Sequence, residues 1–262
     1  MSASWLPQLG RLLGLVVICL LALQVWFVAR VALMAVIDPH STTFQRSEIY
    51  RLATERGQVA WSQQWVPDAR IAVHLKRAVI ASEDAGFTEH AGVDWDAIER
   101  AWDRNQRAEV QAERRNERAE RQAPRRAPAA VTQAPPRVEP KVVGGSTITQ
   151  QLAKNLFLSG ERTPLRKAQE FVLTFALEAL LTKRRILEIY LNNVEWGEGL
   201  FGAQAAARHY HRVDAAQLSP TAAARLAVML PAPKRFEQRP GSPYVAGRAA
   251  TVLARMPAVV VP

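Results

Sequence analysis

The chain has 262 residues, 48% of them hydrophobic, and a net charge of +10, enough for one substantial domain with its own core. Its single cysteine, Cys19, excludes an intrachain disulfide and a zinc cluster built on cysteines. The basic excess leaves three kinds of partner open: nucleic acid, an anionic membrane surface, or an anionic substrate.

Residues 12–29, LLGLVVICLLALQVWFVA, contain one polar side chain, Gln24, and no charge. That length reaches the roughly 18-residue threshold for a spanning helix. The apolar pattern resumes after Arg30 as VALMAVI, which extends the span to Ile37, with Arg30 snorkelling. Arg11 precedes the run and residues 1–37 hold no acid, so the positive-inside tendency keeps residues 1–11 cytoplasmic and sends the bulk of the chain outward. The run is long for a cleaved signal peptide, and no small-x-small site follows it. Residues 12–37 are therefore expected to be a single-pass anchor.

Residues 38–70 read as a polar juxtamembrane connection. From residue 71 a folded domain begins: AVHLKRAVIASED carries a helical apolar pattern, and Asp94 is placed to cap a helix over DWDAIERAW. Residues 100–141 hold 11 Lys/Arg against 6 Asp/Glu, with five prolines between 124 and 140. Almost nothing there can bury a core, so about 105–141 reads as a frayed charged helix running into a disordered loop. The tract lacks interleaved aromatics, which argues against nucleic acid as the partner.

Thr163 before Pro164 opens a helix expected to reach about Thr182. KRRILEIYLNNV continues as a second amphipathic helix, and Trp196–Gly199 reads as a loop. Residues 203–210 form a short Ala-rich helix; Ser219–Pro220 caps the next, which Pro231 ends. No stretch alternates with period two, so the domain is expected to be mostly α, up to about residue 256, with 257–262 as a tail.

Three stretches could carry chemistry. In VIASEDAGFTEHAGVD, residues 79–94, the acids Glu83 and Asp84 follow an apolar run. A carboxylate against apolar neighbours is disfavoured in its charged form, which suits proton transfer near neutral pH; a solvated helix end is the bland alternative. GGSTITQQLAKN, residues 144–155, sets paired glycines and hydroxyls before a helix start, a place that favours anions. A ligand-free cap remains open there, and the P-loop spacing is absent. RKAQE, residues 166–170, sets Arg166 and Lys167 within reach of Glu170, either as a surface ion pair or as a cationic clamp. Together, two acids, several cations and a flexible loop beside a membrane anchor suit glycosyl transfer from a diphosphate leaving group.

These stretches resemble the motifs of the peptidoglycan glycosyltransferases. Glu83, Asp84, Phe87, His90 and Gly92 resemble the first motif, GGSTITQQLAKN the second and RKAQE the third; residues 186–207 resemble the fourth and LAVMLPAPKRF (226–236) the fifth. The chain looks like the monofunctional, membrane-anchored type, without a transpeptidase domain. The resemblance implies a lysozyme-like, two-lobed, mostly helical fold with a smaller, partly membrane-dipping lobe. It implies polymerisation of lipid II into β-1,4 glycan strands by inverting transfer, with release of undecaprenyl diphosphate. Glu83 would be the general base on the acceptor 4-hydroxyl, supported by Asp84, Phe87 and His90. Ser146, Thr147, Gln151, Lys154, Arg166 and Lys167 would hold the donor diphosphate, and Glu170 would be the second acid, orienting cations or a divalent metal such as Mg or Mn.

The partners implied are lipid II, the growing glycan strand and other cell-division or cell-wall synthesis proteins. The implied location is the bacterial inner membrane, with the catalytic domain periplasmic. A longer charged insert than the family's pattern separates the first two motifs. Two other classes stay in view: a lytic enzyme on a similar fold, which needs no diphosphate clamp, and a non-catalytic scaffold acting through the insert.

Overall fold

The computed structural model describes residues 5–122, 137–139, 144–158, 160–161 and 163–262. Most of the loop expected within the insert, and the first four residues, lie outside these. The chain forms two compact units, one of Met1–Val93 with Thr147–Pro262, the other of Asp94–Ser146.

The larger unit begins with α1, Trp5–Leu33, whose stretch Pro7–Leu33 is long and apolar enough to cross a membrane. Leu12, Leu15, Ile18 and Leu21 are exposed along it, while Val31 and Met34 at its end are buried. Arg30, expected to snorkel, lies with its guanidinium 4.9 Å from the Trp26 ring centre and 5.3 Å from that of Phe157. Gln24, the polar exception in the span, exchanges two hydrogen bonds with Gln169, at 2.9 and 3.0 Å.

The connection is more structured than its polar composition suggests. It holds α2, Thr43–Arg51, started by a capping box between Thr42 and Gln45, then a π-helical turn and the two-residue strand β1, Ser62–Gln63. Next comes α3, Val73–Glu83, which buries Leu75, Ala78, Val79 and Ile80. Fully burying side chains of this size stabilises by about 1.5–3 kcal/mol each for the larger ones.

After the second unit, α5 (Ile148–Phe157), α6 (Pro164–Leu180) and α7 (Lys183–Asn193) follow. The Thr163 cap and the proline at the first turn of α6 stand as expected. The helix ends two residues before Thr182, because the Thr182 hydroxyl accepts the Arg185 N–H and caps α7 instead. The stretch expected to be a loop contains a strand. Glu195–Gly197 forms β2, paired antiparallel to β3, Leu200–Phe201, with β1 parallel on the other side of β3. Strands of two and three residues are too short to show period-two alternation, so the sequence pattern carries no sign of them.

The remaining helices are α8 (Ala203–His211), α9 (Pro220–Met229), the single turn α10 (Pro233–Phe236) and α11 (Pro243–Arg255). α9 packs against both α3 and α11. Its buried Ala223, Ala224 and Ala227 let backbones approach closely. α5 packs against α2, α6 and α7, and α1 lies along α6.

In the smaller unit Asp94 caps α4 as expected, accepting the Ala97 N–H at 2.7 Å. The helix does not fray early; it runs over Trp95–Gln122. Asn116 exchanges two hydrogen bonds with the backbone of Val138, and Gly145 lies so near Ala97 and Ile98 that a Cβ would meet their backbone at 3.1–3.2 Å.

Candidate active site

Glu83 is the last residue of α3, so the apolar face of that helix delivers it to the domain interior. Gln151 Nε2 donates to its Oε2 at 3.1 Å, and Ser82 Oγ lies 3.4 Å from its Oε1. Burial pushes its pKa above the usual carboxylate value, aided by the charge of Asp84 and opposed by those two hydrogen bonds. The Gln151 amide is itself oriented: Tyr190 Oη donates to Gln151 Oε1 at 2.9 Å, which turns the amide nitrogen towards Glu83. Tyr190 is 1% exposed. Burial, with Glu83 and Asp84 nearby, holds its pKa well above that of a free tyrosine, so it remains a donor.

Asp84 does different work. Its Oδ2 accepts the Ile148 N–H at the start of α5 (2.9 Å), and its Oδ1 meets His90 Nε2 at 2.8 Å. The Gly92 N–H donates to His90 Nδ1, which leaves Nε2 to carry the ring proton towards Asp84. Asp84 thus fixes the first motif to the start of the second. Phe87 is fully buried under Lys183, whose Nζ stands 4.6 Å from the ring centre.

Thr147 is 2% exposed, and its hydroxyl is engaged twice: it accepts the Gln150 N–H and donates to Gly92 O at 2.6 Å. Gln150 completes a capping box on the Thr147 backbone. The Thr147 hydroxyl, read with the loop as a place for an anion, therefore closes a helix start together with Gln150. Ser146 is exposed and belongs to the smaller unit.

A cleft of about 470 Å³ opens in the larger unit. Gln151 and Lys154 of α5 line it, with Asn155, Leu158, Gly160 and Arg166. Arg166 Nη1 reaches Glu170 Oε2 at 3.3 Å, and Lys167 Nζ contacts Glu170 Oε1. Glu83 and Glu170 do not line the cleft themselves. Each is hydrogen-bonded to a residue that does, Glu83 to Gln151 and Glu170 to Arg166. With both carboxylate oxygens held by cations and the residue 4% exposed, Glu170 does not fit a divalent metal. Among the described residues no group of three His, Cys, Asp or Glu could hold one.

The other lining residues come from α2, β2 and the α9–α10 corner: Phe44, Glu48, Val194, Glu195, Leu230 and Pro233. Lys234 Nζ bonds Glu48 Oε2 at 2.5 Å, and Arg51 Nε donates to the same oxygen at 3.0 Å. Burial, followed by the charges of Glu48 and Glu237, pushes Glu195 up to about 7 despite Lys234. Tyr190, Glu48, Glu195 and Lys234 were not picked out from the sequence. The one available signal was Glu195 between Val194 and Trp196, an acid where an apolar residue would be expected.

Comparison with known proteins adds the family. A family model described as Transglycosylase matches residues 50–114 and 124–257. The biosynthetic peptidoglycan transglycosylase of Bordetella pertussis is 47% identical over 259 residues, covering 99% of this chain and 96% of the relative. That of Bordetella avium is 46% identical over 261 residues, with 100% and 98% covered. That of Burkholderia thailandensis is 45% identical over 261 residues, with 99% and 89% covered.

Proposed function

This chain belongs to the transglycosylase family, and we propose that it polymerises lipid II into peptidoglycan glycan strands. Glu83 takes the proton from the acceptor 4-hydroxyl. The freed oxygen attacks the donor anomeric carbon, the bond from that carbon to the diphosphate breaks with inversion, and the undecaprenyl diphosphate leaves with the electron pair. Lys154, Arg166 and Lys167 offset the charge growing on the leaving group, a role fixed cations perform best in a water-poor site. Glu170 holds Arg166 and Lys167 in place for that role. The anchor α1 keeps the site beside a lipid-borne substrate, at the inner membrane with the catalytic domain outside.

The observation that carries this reading is the half-buried Glu83 held by Gln151, a residue that shares the cleft with Lys154 and Arg166. A lytic enzyme has no use for that cation set. An exposed apolar stripe on α6, Leu165 (82% exposed), Val172 and Phe175, supports contact of this helix with lipid. The test is polymerisation of lipid II by the full chain in detergent. Glu83→Gln is expected to lower kcat by about 10³-fold or more while the thermal transition stays in place. Full activity in that variant, or release of soluble fragments from purified peptidoglycan by the wild type, overturns the assignment.

A further inference from the structure

α4 divides its surface into three sectors, as the turn of about 100° per residue places its side chains. Ala101, Ala112 and Asn116 fall on the face that packs within the smaller unit. Glu109, Glu113, Glu117 and Glu120 fall on a second face, beside a groove that Arg137 and Val138 complete. Arg104, Arg107, Arg114, Arg115, Arg118 and Arg121 fall on the third, where Gln111 is the one other residue among 104–121. Arg100 continues this row towards the start of the helix. All seven arginines are exposed. Arg100 lies 3.7 Å from Asp94 and Arg121 lies 3.6 Å from Glu117; the others form no ion pair among the described residues.

A solvated helix gains stability by setting opposite charges three or four residues apart. α4 often does the reverse. Arg100 and Arg104, Arg104 and Arg107, Arg114 and Arg118, and Arg118 and Arg121 are neighbours at that spacing, and each pair repels. The glutamates do not cancel the row, because they stand across the helix. Its width of about 10 Å exceeds the Debye length of about 8 Å in physiological salt. Anions laid along the arginine row would remove the repulsion.

The form of the row narrows the partner. From Arg100 to Arg121 it extends about 32 Å at 1.5 Å per residue. Between 104 and 121 this face carries no apolar side chain, whereas a protein partner is held by an apolar or aromatic core. A two-fold contact with a second copy of the chain would set arginine against arginine. An extended array of phosphates suits the row better. Every cation of α4 is an arginine, whose planar fork pairs with two phosphate oxygens at once. The same chain carries α1, which is long and apolar enough to hold it at a bilayer. We propose that the arginine face of α4 docks on the anionic phosphodiester headgroups of the membrane that α1 enters. This does not rest on the polymerase reading. Arg115, Arg118 and Arg121 also lie outside the stretches that the family model matches.

The test uses the full chain reconstituted in vesicles of phosphatidylcholine alone or of equal parts phosphatidylcholine and phosphatidylglycerol. A fluorophore on Gln111→Cys, in a Cys19→Ser background, is quenched by spin-labelled headgroups when the arginine face lies on the surface. With all arginines in place, quenching is expected to be strong with phosphatidylglycerol, weak without it, and reduced in high salt. Each arginine at an anionic surface contributes about fivefold to partition. Arg107→Gln, Arg114→Gln and Arg118→Gln combined are therefore expected to lower the docked-to-free ratio about 10²-fold. Lysine at the same three positions keeps the charge and is expected to keep the quenching. Circular dichroism reports whether a variant loses helix, and the lipid and salt dependence of the chain with its arginines intact tests the proposal without any of them. Equal quenching in the two lipid mixtures overturns it, as does quenching that survives the glutamine substitutions. Loss of quenching in the lysine variant would make the row a specific guanidinium site and overturn docking by charge. An acidic protein held by α4, with no quenching in phosphatidylglycerol vesicles, would assign the row to that partner and overturn the membrane contact.

Discussion

Tyr190 sets the orientation of Gln151, and Gln151 sets the proton affinity of Glu83. Burial raises the Glu83 pKa and the Gln151 amide N–H works against that rise. Removing the Tyr190 hydroxyl frees the amide to turn its oxygen towards Glu83, which favours the protonated acid. A general base must be ionised, so activity climbs as pH passes through its pKa. Tyr190→Phe is therefore expected to move the acidic limb of the kcat profile up by about half to one unit. Along that limb kcat falls by about three- to tenfold and recovers at higher pH, while KM for lipid II hardly changes. A profile lowered equally at every pH would show that the hydroxyl acts by packing alone. Nothing in ILEIYLNNV singles Tyr190 out by sequence, because a buried aromatic in an amphipathic helix is ordinarily core. Glu83 stood out because an acid directly after an apolar helical run is out of pattern, whereas the hydrogen bond from Gln151, read as a contact to diphosphate, to Glu83 left no mark in the sequence.

At the level of elements, the joint between the end of α3 and the start of α5 is what sequence spacing could not show. Gly92 has φ of +85°, and an added Cβ would stand 2.7 Å from Thr174 and 2.8 Å from Glu178 on α6. Its backbone also serves His90 and Thr147. Gly92→Ala combines a left-handed backbone strain with overpacking, so a loss of about 2–4 kcal/mol is expected in chemical denaturation. Helix starts such as Thr163–Pro164, Ser219–Pro220 and Asp94 were legible, because a cap and a first-turn proline act locally. The strands were not, since pairing β1 with β3 depends on contacts more than a hundred residues apart in the chain. β2 carries a second consequence, because Glu195 has a folded pKa of about 7 against 4.5 in an exposed chain. Between those values the unfolded state releases its proton first, so the folded protein binds more protons and stability falls as pH rises, levelling off above about 7. Glu48, Lys234 and Glu237 face the same carboxyl and set the size of the effect. Glu195→Gln removes the slope, and thermal melts at pH 5 and pH 8 are expected to show a gain confined to the higher pH.

For the whole molecule, the anchor is part of the larger unit's packing and not a loose tether. α1 lies along α6, the helix whose first turns carry Arg166, Lys167 and Glu170. Phe27 packs edge-on against Phe157 of α5 at 5.4 Å, and Arg185 bonds both Met34 O and Asp38 just past the end of α1. Gln24 and Gln169 are the polar link between the two helices, and each amide satisfies the other. In an apolar setting such an interhelical pair contributes about 0.6–2 kcal/mol. Replacing one partner leaves the other amide unpaired, which costs more than replacing both. Gln24→Leu and Gln169→Leu are each expected to lower the thermal transition of the full chain in detergent, and the Leu–Leu double variant to recover most of the loss. Strictly additive losses would mean that the two amides do not depend on each other. The same cycle read in lipid II polymerisation tests how far the site leans on the anchor. If α1 helps to hold the first turns of α6, the single variants raise KM for lipid II and the double variant restores it; if only stability changes, the anchor contributes to folding and tethering alone.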